Sequence, residues 1–199
     1  MPVPPRERKE DPKAVLEKVI VAGFGGQGVM FLGRLLAQAV MHDGKNVSFF
    51  PSYGPEVRGG RANCHVIVSS DEIFSPMIAH ADSLVAMSQL SWDFFSPRLK
   101  PEGMAVVNAS MVRPANASPS LRLIPVPATE AASEMGDVRV TNMIMLGAYN
   151  RVRGLLPLDA LLEHLRAALG GRKADLFELN RQAIQRGIQA AEEFLSRPR

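Results

Sequence analysis

The sequence predicts an α/β fold: a three-layer, Rossmann-like domain with a mixed, mainly parallel sheet and a helical C-terminal part. Three observations carry that prediction. A short β-prone run leads directly into a glycine loop and an amphipathic segment; further short apolar runs recur as far as Val126; and the remaining chain replaces them with apolar residues at helical spacing.

Taken in order, residues 1–13 are charged and proline-rich (MPVPPRERKEDPK) and read as a flexible N-terminal arm, with the domain proper spanning 14–199. The arm lacks the apolar centre of a secretory signal. Val19-Ile20-Val21-Ala22 is the first strand. Gly23-Phe24-Gly25-Gly26-Gln27-Gly28 follows at once, and then Val29, Leu32, Leu36 and Val40 mark one face of a helix that ends near Gly44. Asn46 to Phe50 and Asn63 to Ser69 read as the next strands. Residues 51–62 between them hold two prolines and three glycines, too broken for a crossover helix. The pair is therefore either antiparallel or separated in the sheet by another strand. Further strands are expected at Ser83 to Met87, Met104 to Asn108 and Leu121 to Val126, with a short helix from about Ser91 to Leu99. Helices at Arg139 to Arg151, Asp159 to Leu169 and Asp175 to Leu195 complete the chain.

Composition narrows the function. Of 199 residues, 23 are Lys or Arg and 20 Asp or Glu, a net charge of +3 spread along the chain, which argues against nucleic-acid binding. No window approaches the ~18 apolar residues of a membrane span, so a cytoplasmic location without membrane contact is expected. The single cysteine, Cys64, is too few for a disulfide or a four-thiolate cluster, and no metal site is expected. His65 follows Cys64, but neighbours on a strand face opposite ways, so they form no dyad and Cys64 reads as a buried, inert thiol.

Gly23, Gly25 and Gly28 satisfy G-x-G-x-x-G between strand and helix. Such glycines either let an anion approach backbone N–H groups at the helix N-terminus or let the helix pack closely on the strand. A dinucleotide site also needs an acidic residue after the second strand; Phe50-Pro51-Ser52 stands there, which argues against NAD. What remains is a generic anion-binding loop. In the broken stretch, Arg58 or Arg61 is suited to grip phosphate or carboxylate, and Gly59-Gly60 to let backbone approach a ligand or partner. The alternative is a surface turn with solvated arginines. Asn142, polar on an apolar helix, serves to bond a ligand, a loop backbone or its own helix terminus.

Several blocks together resemble a known family. GFGGQGV, PSYGPEVRGGRANC, Ser75-Pro76 ahead of HADSLVAM, LKPEGMAVVNAS, VPATEAASEMGDVRVTNMIMLGA and FELNRQAIQRG stand in the order found in the gamma subunit of 2-oxoacid:ferredoxin oxidoreductases, from about Lys18 to Ala190. The 2-oxoglutarate type is most resembled, through PSYGPEVRGG and NCHVIVS, with the pyruvate and 2-oxoisovalerate types close. The resemblance implies a subunit inactive alone, in a complex that decarboxylates a 2-oxoacid with coenzyme A to an acyl-CoA, CO2 and reduced ferredoxin. It implies alpha, beta and ferredoxin-like delta partners, which hold thiamine diphosphate, Mg2+ and the [4Fe-4S] clusters. This chain would pack on alpha and help accommodate coenzyme A. The residues carried over are Gly23, Gly25, Gly26, Gln27 and Gly28 in one loop, Ser52, Tyr53, Gly54, Glu56, Arg58, Gly59 and Gly60 in a facing loop, and Asn142, with no catalytic residue. A free-standing nucleotide-binding protein and a purely structural subunit are the competing readings.

Overall fold

The computed structural model describes residues 15–53, 61–115, 117–170 and 174–197; the expected arm therefore lies outside the described residues. Six strands form one sheet: β1 (Leu16–Phe24), β2 (Asn46–Tyr53), β3 (Arg61–Ser69), β4 (Ala81–Ala86), β5 (Leu99–Asn108) and β6 (Arg122–Val126). Their spatial order is β2-β3-β1-β4-β5-β6. β1, β4, β5 and β6 run parallel, and β3 runs antiparallel to both its neighbours, β1 and β2. The open choice about the second and third strands resolves as a direct antiparallel pair. β1 and β2, joined by the helix α1 (Val29–His42), are parallel but separated by β3.

Each face of the sheet has its own core, which explains the continuous apolar runs of the central strands. Val19 and Val21 point to one face with Cys64, Val66 and Val68, beneath α1 and the later helices. Ile20 and Ala22 point to the other with Ile67, Trp92 and Phe95. That second face is covered by α2 (Gln89–Phe95) and neighbouring loops; α3 (Ala128–Glu134), α4 (Thr141–Arg153), α5 (Leu158–Ala168) and α6 (Ala174–Leu195) lie with α1 on the first. Among the described residues no helix is long and apolar enough to cross a membrane.

Several expected boundaries need correction. β2 continues through Pro51 to Tyr53 and β3 begins at Arg61, so strand reaches into both ends of the broken stretch of 51–62, of which 54–60 lie outside the described residues. Proline removes a backbone donor, which an edge strand tolerates because one of its sides has no partner. Pro51 in β2 and Pro125 in β6 both sit on such edges. The helix expected from Ser91 to Leu99 starts at Gln89, capped by Ser88, and stops at Phe95; Ser96–Arg98 forms a 3-10 turn and Leu99 already belongs to β5. The helix expected from Arg139 begins at Thr141 after a 3-10 turn at Val138–Val140. α3 was not anticipated. Two turns of ATEAASE are too short to display a period, and the N–H groups of Thr129 and Glu130 are capped by Asn108 Oδ1 and Ser110 Oγ from the end of β5.

α4 is buried on every side from Thr141 to Asn150. It fits between sheet and α6 because the two helices meet backbone to backbone. A Cβ on Gly147 would overlap the Ile184 carbonyl, and one on Gly187 would overlap the Ile144 carbonyl. At its C-terminal end α4 reaches the start of β1. Glu17, 1% exposed, accepts hydrogen bonds from the Tyr149 hydroxyl at 3.0 Å and from Ser83 Oγ on β4, and pairs with Arg153. Removing a donor from a buried carboxylate leaves charge uncompensated, so the cluster joins two strands and a helix.

Gly187→Ala is expected to destabilise the chain by about 1 to 3 kcal/mol, because backbone carbonyls cannot move aside as side chains do. Urea unfolding checks this; a midpoint equal to wild type contradicts the close crossing.

Candidate functional site

The C-terminal ends of β1, β4 and β5 carry the loop that the sequence singled out. Phe24 lies opposite Arg61 and Gly23 opposite Ala62 in the β1–β3 register. The glycine loop and the end of the β2–β3 pair at which the chain passes from Tyr53 to Arg61 therefore emerge at the same end of the sheet. Ser52 and Tyr53, expected in a facing loop, instead end β2, with Ser52 half-buried. Gly54, Glu56, Arg58, Gly59 and Gly60 lie outside the described residues.

The glycines divide into two kinds. A Cβ on Gly23 would meet Gln27 Oε1 at 2.5 Å and Val29 Cγ2 at 2.8 Å, and a Cβ on Gly28 would run into the Asn142 side-chain amide. Gly28 also has φ +75 and caps α1 in the left-handed region. The space over these two glycines is filled by the chain's own side chains. Gly26 has φ +100 with no atom within 4 Å of where a Cβ would stand, and it is exposed. The open position of the loop is Gly26, at its tip.

Gln27 and Asn142 hold that tip in place. Gln27 Oε1 accepts from the Phe24 N–H at 2.9 Å while its Nε2 donates to the Met87 carbonyl at 3.0 Å, tying the loop to the end of β4. Asn142 Nδ2 donates to the Gly28 carbonyl at 3.2 Å. Of the three roles left open for Asn142, the loop-backbone bond is present among the described residues. The sequence reading missed two serines that complete the support. Ser88 Oγ donates to Ser91 Oγ at 2.9 Å, and Ser91 Oγ donates to the Gly23 carbonyl at 3.0 Å. Only the S-x-x-S spacing ahead of Trp92 hinted at them.

With this support, the N–H groups of Gly25, Gly26 and Gly28 and of Val29, Met30 and Phe31 at the start of α1 have no acceptor among the described residues. A helix N-terminus and free loop amides together favour an anion. No acidic side chain opposes that in the first turn. The described loop carries no carboxylate, hydroxyl or imidazole side chain.

Cys64 sits under α1, its Sγ against the position a Gly33 Cβ would occupy, and His65 faces the opposite side of the sheet, where Nδ1 accepts from the Ile78 N–H at 3.3 Å. Burial pushes the Cys64 thiol up to about 12, which makes it inert. At pH 8 about one thiol in ten thousand is ionised at that value. Native chain should therefore resist iodoacetamide at pH 8 and react only after denaturation; modification at the rate of a free thiol contradicts the burial. Asn142→Asp is expected to lower the unfolding temperature by several degrees, roughly 1 to 3 kcal/mol, because a carboxylate would face the Gly28 carbonyl without a proton to donate. Differential scanning calorimetry at pH 7 checks this, and an unchanged transition contradicts it.

Comparison with known proteins agrees with this architecture. The pyruvate ferredoxin/flavodoxin oxidoreductase family matches residues 18–190. The 2-oxoglutarate synthase subunit KorC of Methanothermobacter thermautotrophicus is 34% identical over 184 residues, covering 87% of this chain and 97% of that protein. The ketoisovalerate oxidoreductase subunit VorA of the same organism is also 34% identical, over 186 residues and 92% of this chain, but the match spans only 38% of its length. Among solved structures, the keto/oxoacid ferredoxin oxidoreductase gamma subunit of Geobacter sulfurreducens superposes with a TM-score of 0.74 at 29% identity, covering 89% of this chain and 99% of that one. A chain of the 2-oxoglutarate:ferredoxin oxidoreductase of Magnetococcus marinus shares the fold, with a TM-score of 0.84 at 24% identity over 89% of this chain and 31% of that one. From the extent of the family match and the near-complete coverage of a gamma-type subunit, this chain belongs to the pyruvate ferredoxin/flavodoxin oxidoreductase family, as a chain of the gamma-subunit type.

Proposed function

We propose that this chain is the gamma component of a complex that oxidatively decarboxylates a 2-oxoacid, 2-oxoglutarate foremost, to an acyl-CoA and CO2 while reducing ferredoxin. In this reading it packs on an alpha subunit and is inactive alone. Thiamine diphosphate, Mg2+ and [4Fe-4S] clusters reside in the alpha, beta and ferredoxin-like delta partners, and this chain helps accommodate coenzyme A. The observation that carries the reading is the open Gly26 at the loop tip by the N-terminus of α1, with unpaired amides at Gly25, Gly26 and Gly28 among the described residues, beside the end of the β2–β3 pair. Coenzyme A is rich in phosphate, and backbone amides at a helix N-terminus suit phosphate without needing a cation. The Magnetococcus enzyme, a protein of the same fold, carries 2-oxoglutarate, coenzyme A and succinyl-CoA. The KorC subunit, 34% identical, stands nearer than the Pyrococcus furiosus pyruvate/ketoisovalerate common gamma subunit at 28%, which supports 2-oxoglutarate.

The fit of the loop to coenzyme A is specific about which residues act. Gly23 and Gly28 are excluded from direct contact through their Cα faces, since Gln27 and Asn142 occupy that space. Gly26 supplies the approachable backbone. Gln27 and Asn142 act as positioning residues that keep the loop from closing on itself. Arg58 and its neighbours at 54–60 are proposed to face this loop from the hairpin.

Two measurements test this. Purification of the native complex is expected to bring down thiamine-dependent subunits with this chain; their absence overturns the assembly. Coenzyme A titrated into the assembled complex carrying Arg58→Ala is expected to give an apparent affinity weakened roughly tenfold, the loss of one charge-assisted phosphate contact. An unchanged affinity removes Arg58 from the site.

A further inference from the structure

On the α2 side of the sheet, two arginines converge on one aromatic ring. Arg61 Cζ lies 4.0 Å from the centroid of Phe94, and Arg98 Cζ lies 5.1 Å from the same ring and 5.3 Å from Phe95. They stand at a cleft of about 280 Å³ between the β2–β3 ladder and α2. Strand alternation builds the other wall. Ser52 of β2 and Asn63 and His65 of β3 point to this face, because the register pairs Ser52 with Asn63 and Phe50 with His65.

The lining is rich in donors and carries no carboxylate among the described residues. Neither Arg61 nor Arg98 has an ion-pair or hydrogen-bond partner among the described residues, although seven other ion pairs do form there. Each guanidinium offers five N–H donors and no acceptor. His65 accepts from Ile78 through Nδ1, which leaves the proton of its neutral form on Nε2, another donor. Burial and the nearby Arg98 both hold its pKa below the ordinary histidine value, so it adds no charge of its own at neutral pH. Cations gathered in a half-buried cleft repel one another unless an anion lies between them. The aromatic rings beneath hold the two planar forks in place through cation–π contact, reducing the entropy lost when they bind.

We propose that this cleft is an oxyanion site that takes the phosphate or carboxylate end of a small ligand, with Arg61 and Arg98 as its principal contacts and Asn63 and Ser52 as supporting donors. Its volume lies just below the range for whole drug-sized ligands, so the cleft suits the anionic end of a molecule rather than an entire coenzyme. The site is formed by this chain alone and does not rest on the coenzyme role proposed above.

Isothermal titration of the full chain with inorganic phosphate and, separately, with glutarate tests it. One saturable site is expected for at least one anion, weakened tenfold or more by Arg98→Gln and by Arg61→Gln and unchanged by Arg113→Gln, which lies outside the cleft. Tighter phosphate binding assigns a phosphate ligand; tighter glutarate binding assigns a carboxylate. Absence of saturable binding by either anion overturns the proposal. So does equal binding by an Arg61→Gln/Arg98→Gln double variant whose circular dichroism matches wild type.

Discussion

The structure turns on how α4 is held at both ends against β1. Asn142 in its first turn bonds the carbonyl of Gly28 beyond the C-terminal end of β1, while Tyr149 and Arg153 grip Glu17 near the strand's start. Asn142 to Arg153 covers about 16 Å of helix and Glu17 to Gly23 about 20 Å of strand, so the two elements run antiparallel over nearly equal lengths. The approach that makes this possible is set on the other side of α4, where Gly147 and Gly187 bring it into backbone contact with α6. Widening that crossing would press α4 towards the sheet and disturb both attachments. The C-terminal helices are thus part of what positions the glycine loop.

This arrangement separates two uses of glycine within one motif. Gly23 and Gly28 are needed because Gln27 and Asn142 occupy the space above them, whereas Gly26 is the part left open. Fixing the loop through two amides and a serine pair places no charge near the free N–H groups, which preserves the field of the helix N-terminus for an anion. A chain built this way presents a rigid surface to something that arrives with its own chemistry, which suits a subunit of an oxidoreductase that itself carries one buried, inert cysteine.

Much of the fold was legible because both faces of the sheet are covered. Val19-Ile20-Val21-Ala22 and Val66-Ile67-Val68 are continuous apolar runs for that reason, and strand followed by glycine loop and helix is a local pattern. The full extent of β2 was hidden by Pro51, whose meaning depends on β2 being an edge, and edge position is a tertiary fact. α3 was hidden by its length and by capping groups twenty residues away on β5. At the site, the glycine loop and Asn142 stood out by spacing and by polarity on an apolar helix. Ser88 and Ser91 did not, since their value lies in reaching the Gly23 carbonyl across 68 positions. Arg98 and Phe94 were equally silent, because only the packing of α2 on the β2–β3 ladder brings them to Arg61.

In the proposed role, a loop held by Gln27 and Asn142 offers its open tip to coenzyme A within an assembled complex. Hydrogen–deuterium exchange on that complex, with and without coenzyme A, tests it most directly. The account predicts that amides from Gly25 to Phe31 become protected when coenzyme A is added, while those of Val19 to Ala22, already paired in the sheet, do not change. Exchange at Gly25 to Phe31 that is identical in both states would contradict it.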